Sequence, residues 1–410
     1  MTQSEQGLKR IEWASREMPV LKSIKSDFEK TKPFTGKKIV ACMHITTETA
    51  NLIQTFSAAG AEIILCASNP LSTQDDVVAA CKATLPNFNC NSKHGETTEE
   101  YYKNIAAALD SKPNFVLDDG CDLVNYLYTK RTDLLENVIG GTEETTTGVQ
   151  RLRAMEKDGL LKYPIVCVND AQTKHMFDNQ YGTGQSTLDG IIRATNTLLA
   201  GKTFVVAGYG WCGKGLAQKA RGMGCKVVVT EVDPIKALQA HMDGFELMTM
   251  HEASLIGDIF VTVTGSKNVI SGDHFASMKE SVIICNSGHF DSEIDLPSLE
   301  NMSKNKVVWN QNLTEYQTKH NSIFILAEGR LVNLACANGH PACVMDMSFA
   351  NQALSLLYLL ETKDLENKLY SVPEEIDQKV AELKLKSLGL EIDVLTEEQI
   401  QYLNSWQEGT

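Results

Sequence analysis

Short apolar, β-branched runs recur along most of the chain and alternate with longer stretches of helical periodicity. In the first half they are Lys38–Cys42, Glu62–Cys66, Asn114–Leu117 and Ile165–Val168. In the second half come Thr203–Val206, Lys226–Thr230, Ile259–Val263 and Val282–Cys285. Strands buried on both faces read as continuous apolar runs, so these predict parallel sheets covered by helices. The alternation predicts an α/β chain of two doubly wound, Rossmann-like parallel-sheet domains. The C-terminal stretch differs. Glu374–Leu388 has amphipathic helix spacing, with Ile376, Val380, Leu383 and Leu385 apolar, and Thr396-Glu397-Glu398-Gln399 has capping-box spacing that opens a second helix. This helical extension reads either as an oligomer contact or as a helix packed on its own domain.

Each first-half run ends in polar residues: His44 and Thr46, Ser68 and Asn69, Asp118 and Asp119, Asn169 and Asp170. Ligands of open α/β sheets bind beyond the carboxyl ends of strands, so four such endings in succession predict a shared cleft.

Composition narrows the function classes. The 410 residues are 43% hydrophobic and 22% charged, as in ordinary globular proteins. A net charge of −14 and the lack of a Lys/Arg-rich run argue against nucleic acid as a partner. No apolar signal core opens the chain, and no apolar run approaches the roughly 18–20 residues of a membrane span. The eleven cysteines form no C-x-x-C pair, and Cys42, Cys66, Cys167 and Cys285 fall inside strand-like runs. Neither a disulfide framework nor a metal site is expected. A reduced, soluble, cytoplasmic protein is.

Gly208-Tyr209-Gly210-Trp211-Cys212-Gly213 is a G-x-G-x-x-G placed between a strand and a helix. Gly208 permits the tight turn, Gly210 lets the backbone approach a pyrophosphate, and Gly213 allows close helix–strand packing. Glu231, 18 residues after Gly213, stands immediately after the next strand, which ends at Thr230, and a carboxylate there accepts both ribose hydroxyls and repels a 2′-phosphate. NAD is the predicted cofactor. Lys174 and Asp178 stand at i, i+4 in a segment that Asn169 or Asp170 could cap. Lys before Asp is the less stabilising order for a surface pair, so helix support explains it poorly.

With Glu143–Gly148, Asn286–Asp291, Ala327–Asn333 and Gly339-His340-Pro341 added, the chain from His44 to Gln352 resembles the S-adenosylhomocysteine hydrolases. The resemblance rests on His44–Thr49, Asp118-Asp119-Gly120, Glu143–Gly148, Lys174–Asn179, Gly208–Gly213, Gly288–Asp291 and Leu326–Ser348, in order and at family-like spacing. It implies reversible, NAD-dependent cleavage of S-adenosylhomocysteine to adenosine and homocysteine. The route is oxidation at C3′, elimination across C4′–C5′, water addition and re-reduction. It implies a substrate-binding domain over 1–180 and an NAD domain over 181–340. A return segment over 341–372 and a helical oligomerisation segment over 373–410 complete it, in a homo-oligomer, tetramer or dimer.

The resemblance also assigns residues. Lys174 and Asp178 take the 3′ and 2′ hydroxyls, Lys174 with a lowered pKa, and Glu144 holds the ribose and orients Lys174. His44, Asp119 and His289 surround C5′. Thr46, Glu48 and Thr49 face the adenine, with Phe349 a further substrate contact, while His340 and Phe290 gate the cleft. Thr145, Thr146, Thr147, Asn179, Glu231 and Asn333 join Gly208, Gly210 and Gly213 on NAD. An alkali-metal ion near His340–Met345 is permitted.

Three departures stand out. Thr183 and Asn338 occupy positions where many relatives have Cys and Met. The ending Ser405–Thr410 lacks the Lys- and Tyr-bearing tail of many relatives, as in shorter archaeal members, which predicts looser NAD binding. A Glu48 carboxylate would repel the carbonyl of hypoxanthine, favouring the adenosyl over the inosyl substrate. A 2-hydroxyacid dehydrogenase would leave Lys174/Asp178 and His44/Asp119 unused, and an inactive NAD-sensing module would show degraded catalytic positions, which are absent.

Overall fold

The computed structural model describes residues 1–407. Glu408-Gly409-Thr410, the last part of the expected C-terminal segment, lie outside the described residues.

The first sheet holds β1 (Lys38–Met43), β2 (Glu62–Ala67), β3 (Phe88–Cys90), β4 (Phe115–Asp118), β5 (Gly140–Glu143) and β6 (Ile165–Cys167). The second holds β7 (Thr203–Ala207), β8 (Lys226–Thr230), β9 (Glu246–Leu247), β10 (Ile259–Thr262), β11 (Val282–Asn286), β12 (Asn305–Asn310), β13 (Leu313–Gln317) and β14 (Ser322–Leu326). The chain then returns through the helix Ala342–Glu361 to β15 (Leu369–Ser371), which pairs with β6 in the first sheet.

The first sheet runs β15-β6-β5-β4-β1-β2-β3, parallel throughout. The second runs β12-β13-β14-β11-β10-β7-β8-β9. It departs from the expected parallel sheet at one edge, where β12–β13 and β13–β14 are antiparallel. Short turns join these strands, so no crossover helix is needed. Each sheet reverses its strand order once, between β1 and β4 and between β7 and β10, and a crevice opens beyond the carboxyl ends at each reversal.

All eight apolar runs are strands. Of those without a run, β5 matters most: Gly140-Gly141-Thr142-Glu143 has no apolar signature because neighbours crowd it. A Cβ on Gly141 would stand 2.8 Å from Val116 Cγ2, and one on Gly140 would stand 3.0 Å from Leu359 Cδ1.

Leu359 belongs to Ala342–Glu361, which is long and apolar enough to span a membrane, contrary to the reading that no such run exists. It is instead mostly buried, contributing Met347, Phe349, Ala350, Ala353, Leu356 and Leu359 to the first core. Its buried Asp346 accepts from the Val20 and Leu21 N–H groups and from Lys384 Nζ at 2.9 Å. Lys384 lies on the helix Glu374–Ser387, which packs Val380, Ile376 and Leu383 into that same core. That helix therefore packs on its own chain. Beyond it, Thr396 caps Glu397–Leu403, and Val394 and Trp406 are 88% and 90% exposed.

Candidate active site

His44 follows β1 and Asp119 follows β4, so the strand reversal itself brings them together. His44 Nε2 lies 3.4 Å from Asp119 Oδ2. Ser68 and Ser72 hold the other ring nitrogen, at 3.1 and 2.8 Å. Ser68 and Asn69 thus end their strand in support of His44 rather than in the cleft, and Asp118 is buried on the Asp119 and Val124 N–H groups. His289 arrives from the end of β11 in the other sheet, with Nδ1 3.8 Å from Asp119 Oδ1. Burial pushes His44 down to about 3, lowers His289 and raises Asp119. Burial thus favours the neutral form of both imidazoles. Phe290 does not line the cleft; it packs edge-on against His289 and beneath the Arg151 guanidinium.

A second cluster forms where β5 and β6 end. Lys174 Nζ stands 3.8 Å from Glu144, 3.4 Å from Asp178 and 2.7 Å from Asn179 Oδ1, and Asp178 lies 3.2 Å from His340 Nδ1. Lys174 immediately precedes a π-helical segment, His175–Gly182, that carries Asp178, a geometry frequent at functional sites. Lys174 does not have the lowered pKa expected of it. Burial lowers it, but Asp178, Glu144 and Asp119 outweigh burial and the net shift is upward. For Asp178, burial raises the pKa, and Lys174 and His340 reverse this to well below the usual range. Glu144 is pushed up to about 7, mainly by burial, and accepts from Ser348 Oγ and Gln352 Nε2.

Neither Asn169 nor Asp170 caps the helical segment that carries Lys174. Asp170 pairs with Arg153, and Asn169 accepts from Lys174 at 3.3 Å. The cap comes from Asp377 on the C-terminal helix, which accepts from Gln172 N–H at 2.6 Å, Thr173 N–H at 2.9 Å and the Thr173 hydroxyl. No local spacing could reveal a cap 204 residues away. Asp377→Ala is expected to lower kcat roughly ten- to a hundredfold through misplacement of Lys174. Stability should fall by about 1 kcal/mol. Asp377→Asn should recover part of both in steady-state kinetics and thermal melts. Glu143 is a second tie that the sequence did not single out: one of its oxygens accepts from Gly120 and Thr145 N–H at 2.9 and 3.0 Å, joining the loops of the two clusters.

The second strand reversal carries the glycine turn. Gly208 has φ +104°, a Cβ on Gly213 would meet the Gly208 carbonyl oxygen at 1.9 Å, and a Cβ on Gly210 would meet nothing. The last is the open approach a pyrophosphate needs at the N-terminus of Trp211–Gly222. Glu231 accepts from Tyr209 and Val232 N–H, both at 2.7 Å, beside that turn. Thr145, Thr146, Thr147, Asn179 and Asn333 line the same cleft, and the buried Asn333 Oδ1 has no hydrogen-bond partner among the described residues. An orphaned acceptor suits an amide N–H donor such as the nicotinamide carboxamide, so the residues fit NAD. Cys212, inside the glycine motif, faces Thr183 and Lys174 from the opposite wall; burial raises its thiol and both neighbours oppose that. Sulfur therefore reaches this spot although position 183 is threonine.

One cleft of about 1100 Å³ joins both clusters and the glycine turn. Thr46, Glu48, Thr49, His340 and Phe349 also line it. His340 Nε2 lies 3.3 Å from Thr183 Oγ1 and 3.2 Å from Asn333 Nδ2, which joins the two halves.

Comparison with known proteins agrees with this arrangement. Residues 1–135 match the family profile of S-adenosyl-L-homocysteine hydrolase, and residues 179–339 match that of its NAD binding domain. The adenosylhomocysteinase of Aquifex aeolicus is 60% identical over 99% of this chain and 98% of its own. The chain belongs to the S-adenosyl-L-homocysteine hydrolase family. As a member, this hydrolase binds NAD in its second sheet, where the profile spans β7 to β14. The adenosylhomocysteinase of Thermosynechococcus vestitus is 56% identical over 98% of this chain and 94% of its own. The S-inosyl-L-homocysteine hydrolase of Methanocaldococcus jannaschii is 54% identical over 99% and 98%. Overall identity to these hydrolases thus leaves the purine open.

Proposed function

We infer that this enzyme hydrolyses S-adenosyl-L-homocysteine reversibly to adenosine and L-homocysteine, with NAD retained through each turnover. The observation that carries this reading is the single cleft holding two separate acid–base clusters and a dinucleotide turn. A simple dehydrogenase needs one such cluster. Bound NAD+ supplies the hydride acceptor and later returns the hydride.

The rest falls to side chains of this chain. Lys174 holds the 3′ hydroxyl by its ammonium, and Asp178 accepts from the 2′ hydroxyl. For Lys174 to take up a proton it must first release one, and Glu144, titrating near 7 beside it, is the acceptor in reach. At the other cluster burial raises Asp119 and lowers His44, 3.4 Å apart, a carboxyl and an imidazole placed to exchange protons with the departing thiol and the arriving water. Incubation with S-adenosylhomocysteine should release adenosine and free thiol in equal amounts with no net NADH. NADH accumulating without thiol would reject the reading.

Glu48 is proposed to face the purine at position 6. Burial raises its pKa, and hydrogen bonds from Thr46 and Thr47 only partly oppose this. The ionised form accepts from the adenine amino group, whereas the protonated form can donate to the hypoxanthine carbonyl. The repulsion read from the sequence therefore holds only for the carboxylate. The ratio of inosyl to adenosyl kcat/KM should rise as pH falls, and Glu48→Gln should flatten that dependence. The exposed arm after Ser387, with Ile392, Val394, Leu395, Leu403 and Trp406, is proposed to contact a second copy of the chain.

A further inference from the structure

Ser72 Oγ donates to the Asn69 carbonyl at 3.0 Å, so only its lone pairs face His44 Nδ1 at 2.8 Å. With the imidazole proton on Nδ1, Nε2 turns a lone pair toward Asp119 Oδ2 at 3.4 Å. Two acceptors that close need a cation between them, either a proton or a metal ion. His289 Nδ1 approaches the other Asp119 oxygen at 3.8 Å, and the three ligand atoms all lie within 4.8 Å of one another. Around a tetrahedral zinc ion, N and O ligands stand roughly 3.3 Å apart, so a small inward movement closes this set. The Asp119 oxygens make no other hydrogen bond among the described residues. The Ser68 and Ser72 hydroxyls supply the outer contacts that orient a metal-binding histidine.

We propose that His44, Asp119 and His289 also form an inhibitory site for a divalent ion of the zinc class, with the homocysteine thiolate as its fourth ligand. The ion bridges His44 and Asp119, which occupies together the two groups that would exchange protons at C5′. Two imidazoles, one carboxylate and a thiolate make a four-coordinate set suited to zinc or cobalt. Homocysteine ionises on binding, its sulfur bonding the metal and its proton leaving to solvent. The thiolate part rests on the hydrolase reading above; the three protein ligands do not. No sequence spacing signals this set, because its members come from three strand ends in two sheets.

The test is cobalt titrated into the NAD-loaded enzyme, read by visible absorption and by calorimetry. One ion per chain is expected, with tetrahedral absorption bands. His44→Ala and Asp119→Asn, each checked for retained NAD, should weaken binding at least tenfold, and Cys343→Ser should not. Homocysteine should tighten binding at least tenfold and add a sulfur-to-cobalt charge-transfer band, whereas methionine, with its sulfur methylated, should do neither. Equal binding by the parent and both cleft variants would overturn the site. Binding at the trio that homocysteine does not tighten would overturn the thiolate complex, while the hydrolase reading stands or falls on thiol release alone.

Discussion

Lys174→Ala is expected to lower hydrolysis by about 10²- to 10⁴-fold, the range general acid–base groups contribute. NAD content should stay at the parent level, because the glycine turn and Glu231 lie on the other sheet. Stability should respond to pH in a distinctive way. In the parent enzyme the Asp178 pKa is depressed, so its contribution is present above about pH 4 and is lost only as pH falls through the lower folded value. Without the ammonium, burial dominates, and Asp178 and Glu144 are both raised above their unfolded values. The folded variant then binds protons that the unfolded chain releases, so its stability falls as pH rises. Thermal melts should show a larger deficit relative to the parent at pH 8 than at pH 5. An equal deficit at both would mean that Lys174 does not hold these carboxylates ionised.

Gly120→Ala should lower turnover at least about a hundredfold although it replaces no ionisable residue. Gly120 has φ +111°, and a Cβ there would meet His289 Nε2 at 2.1 Å. The alanine must push the ring away from Asp119, and the left-handed backbone strains any L residue at this position. Since the damage passes through His289, its effect should not add to that of His289→Ala. A double variant as active as His289→Ala alone would fit; losses that multiply would place the defect elsewhere. NAD binding should be unchanged in both.

Much of this enzyme was legible in its sequence. Apolar runs gave eight strands, because strands covered on both faces cannot hide their composition. The glycine turn was legible because each glycine answers a local need: a positive φ, an open approach, a close packing. β5 escaped notice because the crowding that demands Gly140 and Gly141 comes from Val116 and Leu359, far away in sequence. Ala342–Glu361 escaped because its buried Asp346, Ser348, Asn351 and Gln352 interrupt the apolar run.

By itself, then, the sequence determined the α/β class, the two strand reversals' flanking residues, the cofactor and the family, all carried by short-range patterns. The tertiary structure alone decided the protonation of the site and the supports beneath it. The Lys174 pKa is raised rather than lowered because Glu144 and Asp119, from segments distant in sequence, join the local Asp178 around it. Asp377 and Glu143 hold the loops that line the cleft through hydrogen bonds between segments far apart in sequence. Charge and hydrogen bonding act through space over a few ångströms, and nothing in residue order fixes which distant groups come that close.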